Sequence, residues 1–219
     1  MKTIFAVDNK WGLGKKNDLL FSLKEDMRHF VAHTKGKTVV MGSNTLLSFP
    51  GGMPLKNRTN IVLNPNGTEE DAMQKGYILV KSLDELFATL KNYDSDQTYV
   101  IGGAMMYRTL LPYCDTAYVT KVDADGGAEV FHENLDDMPN WQLVEQSEPI
   151  DDNGYTIRFC TYKNNAVKSS TFRTLNTTFP PPSSRVWTSA FAHRNPPRSL
   201  WLQHIHWMCC LTRRGSHPE

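Results

Sequence analysis

Short runs of uninterrupted apolar residues that end on glycine and lead into helix-forming sequence constrain this chain more than any other feature. Val100-Ile101 runs into Gly102-Gly103, after which Ala104-Met105-Met106-Tyr107 opens a helix; Val39-Val40-Met41 runs into Gly42, followed by Ser43-Asn44-Thr45. A fully apolar strand that feeds a helix is the habit of parallel sheets with both faces covered. Glycine at the junction lets backbone approach a ligand where a Cβ would clash, and the first N–H groups of the following helix attract negative charge. One such junction commonly does no more than connect two elements. Two of the same kind point to two phosphate groups, and so to a dinucleotide.

The alternation extends along the first three quarters of the chain. Strands are predicted at 3–7, 38–41, 59–63, 77–80, 98–101 and 117–122, and helices at 23–34, 83–92 and 104–111, the last stopped by Pro112. Segments 142–147 and 156–162 flank Asp152-Asn153-Gly154, a hairpin turn signal. The expected fold is therefore α/β, a mixed and mostly parallel eight-stranded sheet flanked by helices and closed by a C-terminal antiparallel hairpin. Ligands of such sheets lie beyond the carboxyl ends of the strands, where both glycine junctions sit.

Charge divides the chain. Of 24 basic and 23 acidic residues, seven basic and one acidic lie from Asn164 onward, leaving 17 and 22 before it, a net of −5. Three of five tryptophans and six of twelve prolines also follow Asn164, with no sustained period. The boundaries read as one domain over 1–163 and a basic, Pro- and Trp-containing tail over 164–219, irregular or disordered. No apolar stretch is long enough to span a membrane, and the N-terminus turns polar too soon for a signal peptide, so the expectation is a cytoplasmic protein without a membrane partner. Cys114 and Cys160 read as small buried hydrophobes, and no metal-ligand spacing is visible.

Asp26 is the most telling acid. The apolar stripe of its helix is Leu23, Met27, Phe30 and Val31, and Asp26 lies three residues after Leu23 and four before Phe30, on or beside that stripe. A carboxylate there is either a buried group awaiting a polar ligand or a proton, or a solvated one at the margin; the pattern weighs the two evenly.

The order of motifs then becomes recognisable. Trp11-Gly12-Leu13-Gly14, Leu19-Leu20-Phe21-Ser22-Leu23 with Asp26 and Phe30, Val40-Met41-Gly42, Leu55 with Arg58 to Leu63, and Val100 to Gly103 with Tyr107 together resemble bacterial dihydrofolate reductase over residues 1–163. The resemblance implies reduction of 7,8-dihydrofolate to tetrahydrofolate by hydride transfer from NADPH, with Asp26 binding the amidine-like edge of the pterin and promoting protonation at N5. Thr120 would support that carboxylate. Phe21 stands where relatives often have tryptophan, keeping an apolar wall but losing a ring N–H donor. Ile4, Ala6, Leu19, Met27, Phe30, Phe49, Leu55 and Ile101 would line the folate site, and Arg58 would grip a substrate carboxylate through its bidentate fork.

For the cofactor, the resemblance implies that Ala6, Leu13 and Ile101 flank the nicotinamide and that Gly42, Ser43, Asn44, Thr45, Gly102, Gly103 and Ala104 receive the pyrophosphate. Lys81 and Met105 would stand toward the adenosine end, and Gly14, Leu63, Asn64, Met106 and Tyr107 complete the expected cofactor contacts. Residues 9–20 would form a mobile flap. Many relatives carry cations at the places of Ser43 and Met105, so NADH is the other admissible donor. Antifolate inhibitors would pair with Asp26, and a monomer is expected. A related NAD(P)H-dependent reductase of another pterin or of a ribosylaminopyrimidine is the alternative, and it should lack the pairing of Asp26 with Arg58.

Other features have plainer readings. His29 and His33 lack a third metal ligand and read as solvated, Asp123 to Gly127 reads as a turn, and His132, at a place usually aromatic, has no functional reading. No nucleic acid is expected at the domain. The tail is either a basic aromatic arm for nucleic acid or a partner protein, or a segment with no selected role. Its abrupt change of composition favours the second. A protein led by such an arm, with an inactive body, is argued against by the intact Asp26, Gly102 and Gly103.

Overall fold

A computed structural model of the chain describes residues 1–16 and 18–168; the predicted tail from residue 169 on, with its three tryptophans, lies outside them. The elements run β1 (Lys2–Val7), β2 (Gly12–Lys15), β3 (Asp18–Leu19), α1 (Lys24–Thr34), β4 (Thr38–Gly42), α2 (Ser43–Ser48), β5 (Thr59–Leu63), α3 (Glu69–Lys75), β6 (Ile78–Val80) and α4 (Leu83–Leu90). They continue with β7 (Thr98–Gly102), α5 (Ala104–Leu110), β8 (Thr116–Val122), β9 (Val130–Phe131), β10 (Trp141–Gln146), β11 (Ile150–Asp152) and β12 (Tyr155–Asn164).

Eight strands form one path in the order β10-β12-β8-β1-β7-β4-β5-β6, and β11 adds a ninth by pairing with β12. Pairings from β8 across to β6 are parallel, whereas β12 pairs antiparallel with β8, β10 and β11. The apolar runs explain the centre: Val39, Val40, Met41, Ile61, Val62 and Val100 are at 0% exposure, as strands covered on both faces require. Cys114 and Cys160 are buried in the larger of the core clusters with Phe5, Met106, Leu110 and Trp141.

Three local readings change. The tight turn at Asn153-Gly154, with φ 57° and 86°, joins β11 to β12, while β10 reaches β12 through a longer connection. The expected flap is a small sheet, because β2 pairs with both β3 and β9; the pairing with β9 is made with residues 116 or more positions away and leaves no local period. His29 and His33 are half-buried rather than fully solvated. Their rings pack on Phe159 at 4.1 Å and Tyr118 at 4.0 Å, since α1 lies against an aromatic patch of β7, β8 and β12. Burial lowers both pKa values, that of His29 to about 4.

Beyond the expected boundary the chain stays on the body for several residues. Asn164 closes β12, its Nδ2 donates to the Cys114 carbonyl at 2.9 Å, and the N–H groups of Asn165 and Lys168 donate to the carbonyls of Asn140 and Pro112. His132 is a core residue, stacked on Phe5 at 4.1 Å with Nδ1 at 2.8 Å from the Glu133 carbonyl. No helix among the described residues is long and apolar enough to cross a membrane.

Candidate active site

The helices differ at their N-termini. Those remote from the glycine junctions carry their own caps: Thr68 Oγ1 accepts from the Asp71 N–H at the start of α3, and Ser82 Oγ from the Glu85 N–H at the start of α4. At α1, α2 and α5 the N-cap residues are Leu23, Gly42 and Gly103, none of which supplies a side-chain cap. Because β4 and β7 are neighbours, α2 and α5 begin side by side at the carboxyl edge of the sheet. Their first N–H groups form a place for an anion with at least two phosphates.

The fit of a dinucleotide rests on that arrangement and on Gly102. Its φ is +121°, and a Cβ built on it would stand 3.3 Å from Thr45 Oγ1 and from Tyr107 Oη, so any side chain there would be strained and would crowd residues of both helices. Relative to β4, β7 carries Ile101 as an extra residue just before this glycine. Sheet order then lays out the remaining expected contacts: Leu63 and Asn64 follow at the end of β5, Lys81 at the end of β6. Lys81 Nζ lies 3.7 Å from Glu69, while its backbone N–H donates to Glu85 Oε2 at 2.7 Å, so one carboxylate stands near that cation. Ser43 is half-buried, and Asn44 and Met105 are exposed. The side chains of Leu63, Met106 and Tyr107 point the other way, into the core, with Tyr107 Oη donating to the Ile4 carbonyl at 3.1 Å.

A cleft between β1, the flap and α1 is lined by Ala6, Gly12, Leu13, Leu19, Leu20, Phe21, Leu23 and Asp26. Five of these are expected site residues. Asp26 is half-buried, and Thr120, 1% exposed on β8, donates its hydroxyl to Asp26 Oδ1 at 2.6 Å. Burial raises the Asp26 pKa, the hydrogen bond from Thr120 opposes that shift, and the negative charge of Asp152 adds to it. Of the two readings left by the helix pattern, the structure has a half-buried carboxylate that holds a hydroxyl donor.

The apolar set divides by depth. Ile4 and Ile101 are buried, with Phe30, Phe49 and Leu55 packed against the same cluster. Leu19 and Met27 are 68% and 50% exposed at the mouth. Arg58 lies over the Phe30 ring at 5.8 Å, its Nε donating to Thr34 Oγ1 at 2.9 Å and Nη1 to the Lys56 carbonyl at 2.8 Å. These contacts tie it to α1, the helix that bears Asp26. Gly14, in β2, pairs with Leu19 and Val130 and sits in the flap.

Two acids escaped the sequence reading. Asp8, 2% exposed, accepts from the N–H groups of Lys10, Gly12 and Gly126, joining the flap to the loop after β8. Asp152 accepts from the first N–H groups of α1. The one available signal for the latter was the absence of a capping residue at Leu23. Among the described residues, no group of three or more His, Cys, Asp or Glu is placed to hold a metal ion.

A family model described as dihydrofolate reductase matches residues 1–164. The dihydrofolate reductase of Bacillus subtilis (strain 168) is 34% identical over 172 residues, covering 77% of this chain and 98% of that protein. The type 3 dihydrofolate reductase of Salmonella typhimurium is 36% identical over 151 residues, covering 68% of this chain and 88% of that one. A solved structure of dihydrofolate reductase from Enterococcus faecalis, complexed with NADP(H) and RAB-propyl, superposes with a TM-score of 0.64 at 29% identity, covering 75% of this chain and 95% of the other.

Proposed function

The chain belongs to the dihydrofolate reductase family and is an NADPH-dependent dihydrofolate reductase; from that premise we propose the part each side chain plays. The observation that carries the assignment is the Asp26–Thr120 pair, a desolvated carboxylate with one hydroxyl donor at 2.6 Å, opening on an otherwise uncharged cleft.

Asp26 accepts two hydrogen bonds from the 2-amino group and adjacent ring nitrogen of the pterin, an amidine-like edge that suits a carboxylate. Its raised proton affinity keeps a proton within the site for delivery toward N5, and Thr120 orients the carboxylate for that task. Ala6, Leu13, Leu19 and Phe21 exclude water and hold two flat rings in contact, so much of the rate comes from proximity rather than from reactive side chains. Ile4, Met27, Phe30, Phe49, Leu55 and Ile101 cover the rest of the folate, with Arg58 on its terminal carboxylate. The bound NADPH supplies the hydride. The backbone at the starts of α2 and α5, with Ser43, Asn44 and Thr45, holds its pyrophosphate, and Lys81 its adenosine end.

Family membership and the NADP(H) and inhibitor in the Enterococcus faecalis structure support a cytoplasmic enzyme whose Asp26 also receives antifolate inhibitors. We take the active unit to be a single chain, with a reductase body running to about residue 168 and a tail that takes no part in the reaction. The test follows NADPH and NADH oxidation by dihydrofolate in the full chain and in Asp26→Asn. The intact chain should turn over, and the variant should lose about a hundredfold in kcat together with its pH dependence. A variant that keeps both removes Asp26 from the reaction.

A further inference from the structure

Of the helices that begin at the site without a capping side chain of their own, α1 alone has its start closed by a distant residue among the described contacts. Asp152, at the tip of β11 and 3% exposed, accepts from Lys24 N–H through Oδ1 at 2.9 Å, and through Oδ2 from Glu25 N–H at 2.7 Å and Asp26 N–H at 3.3 Å. A buried carboxylate meeting the positive end of a helix through several N–H groups makes strong, directional, charge-assisted bonds.

Its neighbours hold the same segment. Asn153 Nδ2 donates to the Ser22 carbonyl at 3.1 Å, the Tyr155 ring meets Phe21 edge-on at 4.9 Å, and Ile157 is buried with Leu23 and Val122. The hairpin of β11 and β12 thus grips residues 21–26 from the wall of the cleft through to its carboxylate.

We propose that Asp152 is a positioning residue for the reductase reaction, fixing the first turn of α1 so that Asp26 faces Thr120 and the cleft. This rests on the reading of Asp26 as the group that manages the proton. By taking up the N–H groups of Lys24, Glu25 and Asp26 itself, Asp152 fixes the backbone from which the Asp26 side chain projects. Its charge also opposes ionisation of Asp26. The other groups facing Asp26 are the Thr120 hydroxyl on β8 and Tyr107 on α5, whose buried phenol feels the Asp26 charge and is pushed far up in pKa. The residues lining the cleft from β1 and the flap are uncharged, and on α1 Glu25 is engaged with Arg28.

The test is the pH profile of kcat for dihydrofolate with NADPH in the full chain, for the parent, Asp152→Asn and Asp152→Ser. Asn keeps the shape without the charge, and Ser keeps a short acceptor. Where the rate falls as Asp26 loses its proton, both variants should fall about half a pH unit or more earlier, so that turnover above the midpoint is at least about threefold lower. KM for NADPH should stay within about twofold. A folded variant with the parental profile overturns the proposal. So does failure of both variants to fold, judged by circular dichroism, which would leave Asp152 a purely structural role. Asp26→Asn, measured alongside, separates the two readings. If that variant keeps parental activity and profile, the reading of Asp26 falls; if it loses them while the Asp152 variants do not, only the role of Asp152 falls.

Discussion

Thr120 donates its hydroxyl to Asp26 Oδ1 at 2.6 Å across a sequence separation of 94 residues, joining a central strand to the helix that forms one wall of the cleft. The bond favours the ionised carboxylate, so it works against burial and against the charge of Asp152. Replacing Thr120 by valine removes the donor and keeps the shape. The Asp26 pKa should then rise, because a hydrogen bond to the charged form is lost. The high-pH limb of the kcat profile should move upward, opposite to its movement in Asp152→Asn. A profile that stays in place in Thr120→Val would show that the hydroxyl does not act on the ionisation.

Cofactor discrimination should respond at the end of β4. Ser43 offers no charge where α2 begins, and the Lys81 ammonium at the end of β6 stands 3.7 Å from Glu69. Ser43→Arg should raise the ratio of kcat/KM for NADPH to that for NADH by about tenfold, the scale of one charge-assisted contact to a phosphate, and Lys81→Gln should lower it. An unchanged ratio in both would place recognition of the 2′-phosphate elsewhere.

The end of the body is set by Asn164. Its Nδ2 donates to the Cys114 carbonyl, and its Oδ1 accepts from Asn140 Nδ2 and from the Ala166 N–H, each at 2.9 Å. Asn164→Ala leaves buried polar groups unpaired and should cost about 1–3 kcal/mol, read from urea unfolding monitored by tryptophan fluorescence. A chain ending at Lys168 should keep turnover, whereas one ending at Lys163 should unfold at lower urea.

Acid sensitivity should follow from α1. The pKa of His29 is lowered to about 4, first by burial against Phe159 and then by His33. Between pH 6.5 and about 4 the unfolded chain takes up a proton that the folded chain refuses, so the stability present above pH 6.5 is lost on acidification through that window. In His29→Phe the thermal midpoint should fall less steeply over the same range. Equal slopes would assign the acid loss to carboxylates alone.

The sequence by itself determined which segments are buried strands, where the glycine junctions stand, and that Asp26 lies at the edge of an apolar helix face. Those properties are local: apolar runs, helical spacing and missing side chains act within a few residues. The ordered motifs then carried the family, and with it Thr120, Arg58 and the flap, which no period distinguishes from ordinary strand and loop positions. Only the tertiary structure decided how these parts meet. It paired the flap as β2 with β3 and β9, turned the side chains of Met106 and Tyr107 inward, and packed His29 and His33 on aromatic rings. It also closed the start of α1 with Asp152, supplied from 126 to 128 residues away. A hydrogen bond across such a distance depends on the register of strands that are themselves far apart in the chain. A carboxylate in a turn looks the same in sequence whether it faces water or the N-terminus of a helix, and burial alone separates the two.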